Sequence, residues 1–597
     1  MASGWQLQIK IVIEAEHATN VDVLLRAVER AIGLDSADLA AWGTRGAGFL
    51  LVGDSAGWRT TEAAVRARHQ APAAFYAEVA EALGRQRRYQ VAARVAGQGV
   101  AADPDDPAAL TALGTNQLRL GAVDTGRARL EQAFQRDPYH VWNKNTLDLL
   151  DELAKYRTVK AGRFEFVAAP EEIDLLALYL GPLLERAFDS LSARYRYSPP
   201  TPIRLELYRR HADFSVRTVG LAGIGALGVS FGSVLAMDAP SAREIGDFNW
   251  ASTAWHELVH AFTLGISDHK VPRWLSEGLS VLEERRATPG WGANATVPFL
   301  AAYKGGQLNP VSRLNDGFVR PRRPADISFA YYQASLVCEF LESELGFDKV
   351  LALLAAYRDG AAGSDAFSRS LGMSADQLGT RFDAWMTARF AKPLEGIPAL
   401  RDSVLAPGEL GNLMQTAARQ RAAGQIEQAI ATLEKADAIF PEMADEEGPA
   451  WQLARLHQER GDRAKAIEYL DRVTSYNETH YEANRLAARL KAEAGDHRGA
   501  LAAAERAIYI HPYDPALHVE AAALATQAGD HARAVRERRA VLMLNPSDRA
   551  GALYELAVAY RNAGDREAAR REVLRALEEA PSFEKAQTLL LELRGNP

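Results

Sequence analysis

Cysteine is almost missing: the 597 residues contain one, Cys338. A lone thiol excludes an internal disulfide and any cysteine-built zinc knuckle. It stands in the apolar stretch SLVCEFL, where a buried core thiol is expected rather than a nucleophile. Long runs of one charge are missing as well. There are 69 Lys and Arg against 77 Asp and Glu, a net charge of −8, and no basic cluster that would support a nucleic-acid surface. The opening MASGWQLQIKIVIEAEH lacks the basic start, apolar core and small-residue site of a secretory leader. A cytoplasmic protein is expected from the sequence as it stands, and a periplasmic or secreted one if a native leader is missing. One uncharged run, 219–237, has the length of a bilayer span, but five of its 19 residues are glycine and no aromatic or basic belt flanks it. No membrane span is expected. The same run holds Gly223-x-Gly225-x-x-Gly228, yet a dinucleotide turn must open a helix. Here VSFGSVLAMD follows and reads as strand, so a glycine hairpin leading into an apolar strand is expected.

What is present is globular in proportion, with 48% hydrophobic and 24% charged residues. The C-terminal third repeats. Gly424-Gln425, Gly461-Asp462, Gly495-Asp496, Gly529-Asp530 and Gly564-Asp565 recur every 34 to 37 residues between alanine- and leucine-rich helical patterns. Pro441, Pro512, Pro546 and Pro581 close the units. A small-residue helix, a Gly-Asp turn, a second helix and a terminal proline are marks of the tetratricopeptide repeat. Residues 1–155 show the same grammar less clearly, with Pro104 and Pro138 34 apart and Gly121 at the turn. AAWGTRGAGFLLVGD reads as a degenerate unit. Residues 5–13 alternate like a strand.

Residues 156–400 do not repeat. A strand at 164–168, a long helix over 171–195, a break at Ser198-Pro199-Pro200, strands at 203–208 and 234–238, and helices after Pro240 predict an α+β domain. The fold class expected is mainly α: this central domain between N- and C-terminal α-solenoid arrays, the last over 401–597.

Within the central block stands Trp255-His256-Glu257-Leu258-Val259-His260. Residues i and i+4 of a helix share one face, so His256 and His260 can aim their imidazoles at one metal ion. Glu257 stays beside the metal without having to ligate it and can take a proton from water. Leu258 and Val259 face away, into the core. A zinc hydrolase needs a third protein ligand and an open position. The spacing of a metzincin fails, because Thr263 and Ile266 stand where Gly and His are required. Three candidates remain: Asp268 and His269 in the loop SDHKVP, and Glu277 in PRWLSEG. Pro272 suits the first turn of a new helix, and a second helix packed across the first favours Glu277. Glu283 and Glu284, later on that helix, are expected to be solvated.

HELVHAFT, VPRWLSEGLS and YYQASLVCEFL together resemble the gluzincin metallopeptidases, in particular the peptidase-MA-like group often joined to tetratricopeptide repeats. The resemblance covers about 160–390. It implies one zinc ion held by His256, His260 and Glu277, with Glu257 as general base. It also implies a tyrosine hydrogen-bonding the oxyanion; aligning Ala334 with the family glycine selects Tyr331, with Tyr332 as the alternative. The 16 residues between His260 and Glu277 are fewer than in typical aminopeptidases of the clan. No aminopeptidase-type motif, with its glutamate for a free amine, appears in 228–238, and the resemblance implies that 234–238 is the edge strand above the metal.

The function expected is a zinc-dependent peptidase acting on peptides or proteins, with the repeats capturing a partner or framing the cleft. Asn484, Tyr513 and Tyr554 are expected on helices lining a repeat groove. A repeat scaffold with an inactive metallopeptidase-like domain is the alternative.

Overall fold

A glycine ends one helix and an aspartate opens the next along most of the C-terminal third. In the computed structural model, which describes residues 18–222, 225–323, 325–401 and 408–594, Gly461 has φ 77° and Gly495 φ 82°. This left-handed conformation closes a helix and is open to glycine without a β-carbon clash. The following aspartate caps the next helix: Asp462 accepts from the Lys465 amide at 3.2 Å and Asp496 from the Gly499 amide at 2.9 Å. The helix pairs are Gly408–Ala422 with Ile426–Ile439, Pro449–Glu459 with Arg463–Tyr476, Tyr481–Glu493 with His497–Ile508, Pro515–Gln527 with His531–Met543, and Arg549–Asn562 with Arg566–Glu579. Buried Ala487, Ala504 and Ala525 let the helices approach closely. Of the three residues expected on helices lining a repeat groove, Asn484 and Tyr554 lie on helices, whereas Tyr513 does not and Asn484 does not reach the surface. Asn484 is buried and bonded to His480 and Arg506, Tyr513 lies in a loop, and Tyr554 packs on Phe583.

The N-terminal region follows the same rule. Leu39–Leu51 pairs with Ser55–Arg66, Ala73–Arg85 with Tyr89–Ala102, and Pro107–Arg119 with Val123–Arg136. The degenerate unit read in AAWGTRGAGFLLVGD is the first of these, turning at Gly53. The strand expected over 5–13 lies outside the described residues.

Between the arrays is a five-stranded sheet. Its strands are β1 (Arg157–Ala161), β2 (Phe164–Ala168), β3 (Ile203–Tyr208), β4 (Gly228–Ser230) and β5 (Val234–Asp238), in the order β1-β2-β3-β5-β4. β2, β3 and β5 run parallel, and β1 and β4 are antiparallel outer strands. The expectation that residues 234–238 form the edge is therefore wrong: β5 is an inner strand and β4 is the edge. The reason is the hairpin, in which β4 pairs antiparallel with β5 on the side away from β3; β5 is also buried on both faces. Leu235 and Met237 pack into the core of the central helices, whereas Val234 and Ala236 pack with Tyr89 and Leu149 of the N-terminal region. A strand covered on both sides reads as a continuous apolar run. β1 carried too little apolar signal to be anticipated, since most of it is solvent-facing.

The helices Trp250–Ile266, Arg273–Ala287 and Ala325–Leu345 complete the central domain. Gly278 lets the last two approach closely, for a β-carbon there would lie 2.6 Å from the Ala334 carbonyl oxygen and 2.9 Å from Cys338 Sγ. Cys338 is buried, as expected. The C-terminal repeats dock on this domain through Trp250, whose Nε1 donates to the Ile508 carbonyl at 3.0 Å. Tyr179, on the helix Ile173–Tyr195, donates to Glu537 at 2.6 Å and contacts His518 Nδ1 at 3.1 Å. Among the described residues no helix is long and apolar enough to cross a membrane.

Candidate metal centre

Asn249 caps the helix Trp250–Ile266, its side chain accepting from the amides of Ala251 and Ser252 at 3.1 and 3.0 Å. The next turns carry His256, Glu257 and His260, whose ligand atoms lie within 4.8 Å of one another. Leu258 and Val259 are fully buried on the opposite side. After the loop, Pro272 precedes the helix Arg273–Ala287, which crosses the first and delivers Glu277.

The three side chains converge on a single point. Oε2 of Glu277 is 3.2 Å from Nε2 of His256 and 3.3 Å from Nε2 of His260. Two zinc ligands in a tetrahedral array stand about 3.3 Å apart, so the two separations from Glu277 fit that ion. The outer ring nitrogens are occupied. Nδ1 of His256 bonds Glu284, and Nδ1 of His260 is 2.8 Å from Ser276 Oγ. These contacts fix the rings so that both Nε2 atoms face inward.

Charge follows from the same packing. Burial pushes His260 down to about 4, outweighing Glu277. Burial opposes ionisation of Glu277, but His260, His256 and Arg273 outweigh it and hold the carboxyl well below the usual range. Glu257 is pushed up to about 8, chiefly by burial, with His256 opposing and Glu277 reinforcing. Its Oε2 is buried without a hydrogen-bond partner, an orphaned acceptor beside the three converging donors.

Glu257 lies under the sheet edge. A β-carbon on Gly228 of β4 would stand 2.4 Å from Glu257 Oε1, so only glycine permits this approach.

The other sequence candidates separate clearly. Tyr331 lies 6.4 Å from His256, ring to ring, and interacts with Arg273. Tyr332 turns into the core against Phe299 at 4.8 Å. Asp268 and His269 face the N-terminal repeats: the Asp268 carbonyl accepts from Arg88 at 2.7 Å, and the His269 ring is 6.1 Å from Tyr89. Glu283 and Glu284 are not solvated, contrary to expectation. Glu283 is buried against Arg194 and Tyr195, and Glu284 against His256 and Ser252. The helix bearing them is covered on every side, so its late acidic residues face protein.

Sequence reasoning missed three contributors. Arg273 donates to Oε1 of Glu277 at 3.3 Å. Arg87 comes within 3.8 Å of the same oxygen from the N-terminal repeats. Glu478, from the C-terminal repeats, has its carboxyl raised by burial and by Glu284.

Residues 242–388 match the Peptidase MA superfamily, and residues 450–480 and 550–583 match the tetratricopeptide repeat. The chain thus carries a Peptidase MA superfamily domain followed by tetratricopeptide repeats. No curated protein matches it. Among solved structures it is similar over 30% of its length to YrrB, described as a TPR protein with an unusual peptide-binding site (16% identity, 89% of that chain, TM-score 0.23). It is similar over the same share to MamA from Desulfovibrio magneticus RS-1 (18% identity, 99% of that chain, TM-score 0.21). A third is TTC0263, a thermophilic TPR protein of Thermus thermophilus (21% identity, 31% of this chain and 98% of that one, TM-score 0.16).

Proposed function

We propose that the chain is a zinc-dependent peptidase, with the repeats framing its cleft and presenting surfaces to a protein or peptide. The observation that carries this reading is the meeting of His256 Nε2, His260 Nε2 and Glu277 Oε2 at 3.2 and 3.3 Å beside the unpartnered carboxylate oxygen of Glu257. A zinc ion held by those three residues would supply Lewis acidity, acidifying water and polarising a carbonyl.

The remaining roles belong to the chain itself. Glu257 takes the proton of the attacking water and returns it to the leaving amine. Glu284 and Ser276 hold the two imidazoles from behind. Tyr331 donates to the oxyanion that develops on the scissile carbonyl. β4, the outer strand on the side of Glu257, offers a pairing edge to an extended peptide. The working division is 1–155 and 401–597 as repeat arrays and 156–400 as the catalytic unit.

The test is metal content by plasma mass spectrometry, followed by a peptide-library screen. About one zinc per chain, lost in Glu277→Ala, and cleavage abolished in Glu257→Gln with zinc retained, are the expected results. Absence of zinc even after supplementation would sink the reading. Zinc without cleavage would leave an interaction scaffold built on an inactive domain.

A further inference from the structure

The turns between paired repeat helices share one backbone position. It is glycine at Gly53, Gly121, Gly424, Gly461, Gly495, Gly529 and Gly564, with φ between 74° and 84°. The turn between Ala73–Arg85 and Tyr89–Ala102 has Arg87 in that place, at φ 59°. Gly53, Arg87 and Gly121 are 34 residues apart, so the correspondence is one of register as well as conformation. A β-carbon resists this left-handed region, which glycine enters freely. An arginine held there calls for a compensating role.

The surroundings of the turn indicate the role. Arg88 donates to the Asp268 carbonyl at 2.7 Å, and Tyr89 packs edge-on against Phe231 at 5.7 Å. The turn is therefore pinned between the loop after the metal-motif helix and the β4–β5 hairpin. From this anchored position the Arg87 side chain, 27% exposed, points its guanidinium at Oε1 of Glu277. The separation of 3.8 Å is beyond hydrogen-bond reach, and among the described residues Glu277 is its one ion-pair partner. Arg273 already donates to that oxygen at 3.3 Å. Arg87 thus brings positive charge and a planar fork of donors to the cleft without spending them on the fold. That fork matches a carboxylate. The other oxygen of Glu277 faces both histidines, so the guanidinium sits beside the outer oxygen of a proposed ligand and within roughly two residues of extended chain, about 7 Å, of the point where the ligand atoms meet.

We propose that Arg87 is the carboxylate-binding residue of the cleft, selecting peptides that carry a carboxylate one or two residues from the scissile bond. This rests on the peptidase reading for its substrate class. The carboxylate is either the peptide's free C-terminus or an acidic side chain.

The experiment is calorimetric titration of the zinc-loaded full chain in a Glu257→Gln background, which binds peptide without turning it over. Three probes are compared: N-acetyl-trialanine as the free acid, the same peptide amidated, and an amidated peptide with glutamate in the last place. At least one carboxylate peptide is expected to bind about tenfold or more tighter than the neutral amide. Preference for the free acid identifies the C-terminus, and preference for the glutamate amide identifies the side chain. Adding Arg87→Gly should erase the preference while zinc content holds and Tm does not fall, because glycine fits the backbone. Arg87→Gln should erase it too. Equal binding of all three peptides, no binding of any, or a preference that survives Arg87→Gly would each overturn the proposal. A lower Tm in Arg87→Gly with selectivity intact would mark the arginine as merely structural. Carboxylate selectivity in a chain that cleaves no peptide would leave the anion site standing and remove the peptidase reading.

Discussion

Glu284 stands against Nδ1 of His256, behind the imidazole whose other nitrogen faces Glu277. Ser252 donates to the second oxygen of Glu284 at 3.2 Å, so the carboxylate is held from its own far side. Partners of this kind fix ring orientation and raise ligand basicity. Glu284→Gln is expected to fold normally but to bind zinc about 10- to 100-fold more weakly. Competition against a calibrated chelator measures this, and unchanged affinity would reduce Glu284 to a packing group.

Gly228→Ala tests the approach of the sheet edge to Glu257. The added methyl would meet Oε1 at 2.4 Å, so the carboxylate must move. Hydrolysis is expected to fall by about 100-fold or more, the scale of a displaced general base. Zinc content should stay unchanged, because Glu257 is outside the proposed ligand set. Full activity in this variant would show that Glu257 acts from another position.

Tyr179→Phe addresses the docking of the C-terminal repeats. The hydroxyl serves Glu537 and His518, both fully buried. Its removal leaves a buried carboxylate short of a donor, at a cost of about 1–3 kcal/mol. A lower Tm is expected, with repeat helices melting before the central domain in hydrogen exchange. A single unshifted transition would argue that the interface is held by apolar packing alone.

Acid should loosen the N-terminal repeats through His269. Burial, aided by Arg88 and Arg87 and opposed by Asp268, pushes its ring down to about 4. Tyr89 covers one side, and Gly232 is close to the ring on another. An unfolded histidine titrates near 6.5. Between those values the unfolded chain takes up a proton that the folded chain refuses, so stability falls as pH drops from about 6.5 to about 4 and levels off below. The loss is on the order of 3 kcal/mol at most. Comparing Tm against pH for wild type and His269→Gln isolates this contribution; identical profiles would exclude it.

The site was legible where it depended on local geometry. His256, Glu257 and His260 share a helix, and their relation follows from 3.6 residues per turn. Glu277 could be favoured because Pro272 starts the second helix. The edge strand was misread: the glycine hairpin expected before 234–238 already sets a strand beside it, and the pairing of Gly228–Ser230 with β5 leaves β5 inside the sheet. Glu284 was misread because its neighbours Arg285 and Arg286 suggest a wet surface, while the burying groups come from distant segments. Arg87 left a faint signal, since a step of 34 back from Gly121 lands on it. Within GRQRRYQ it looks like one surface cation among several.

The two-sided cover of β5 bears on where this protein can be cut. Matched by family resemblance, the Peptidase MA superfamily domain is a segment inside a longer chain; judged by its surfaces, it has no independent outline. Freed of the preceding repeats, it would present Phe231, Val234 and Ala236 to water in a contiguous apolar sheet face. Freed of the following ones, it would lose the seat of Trp250 at the start of the metal-motif helix. The smallest fragment that behaves as a soluble, orderly molecule is therefore larger than the matched segment on both sides.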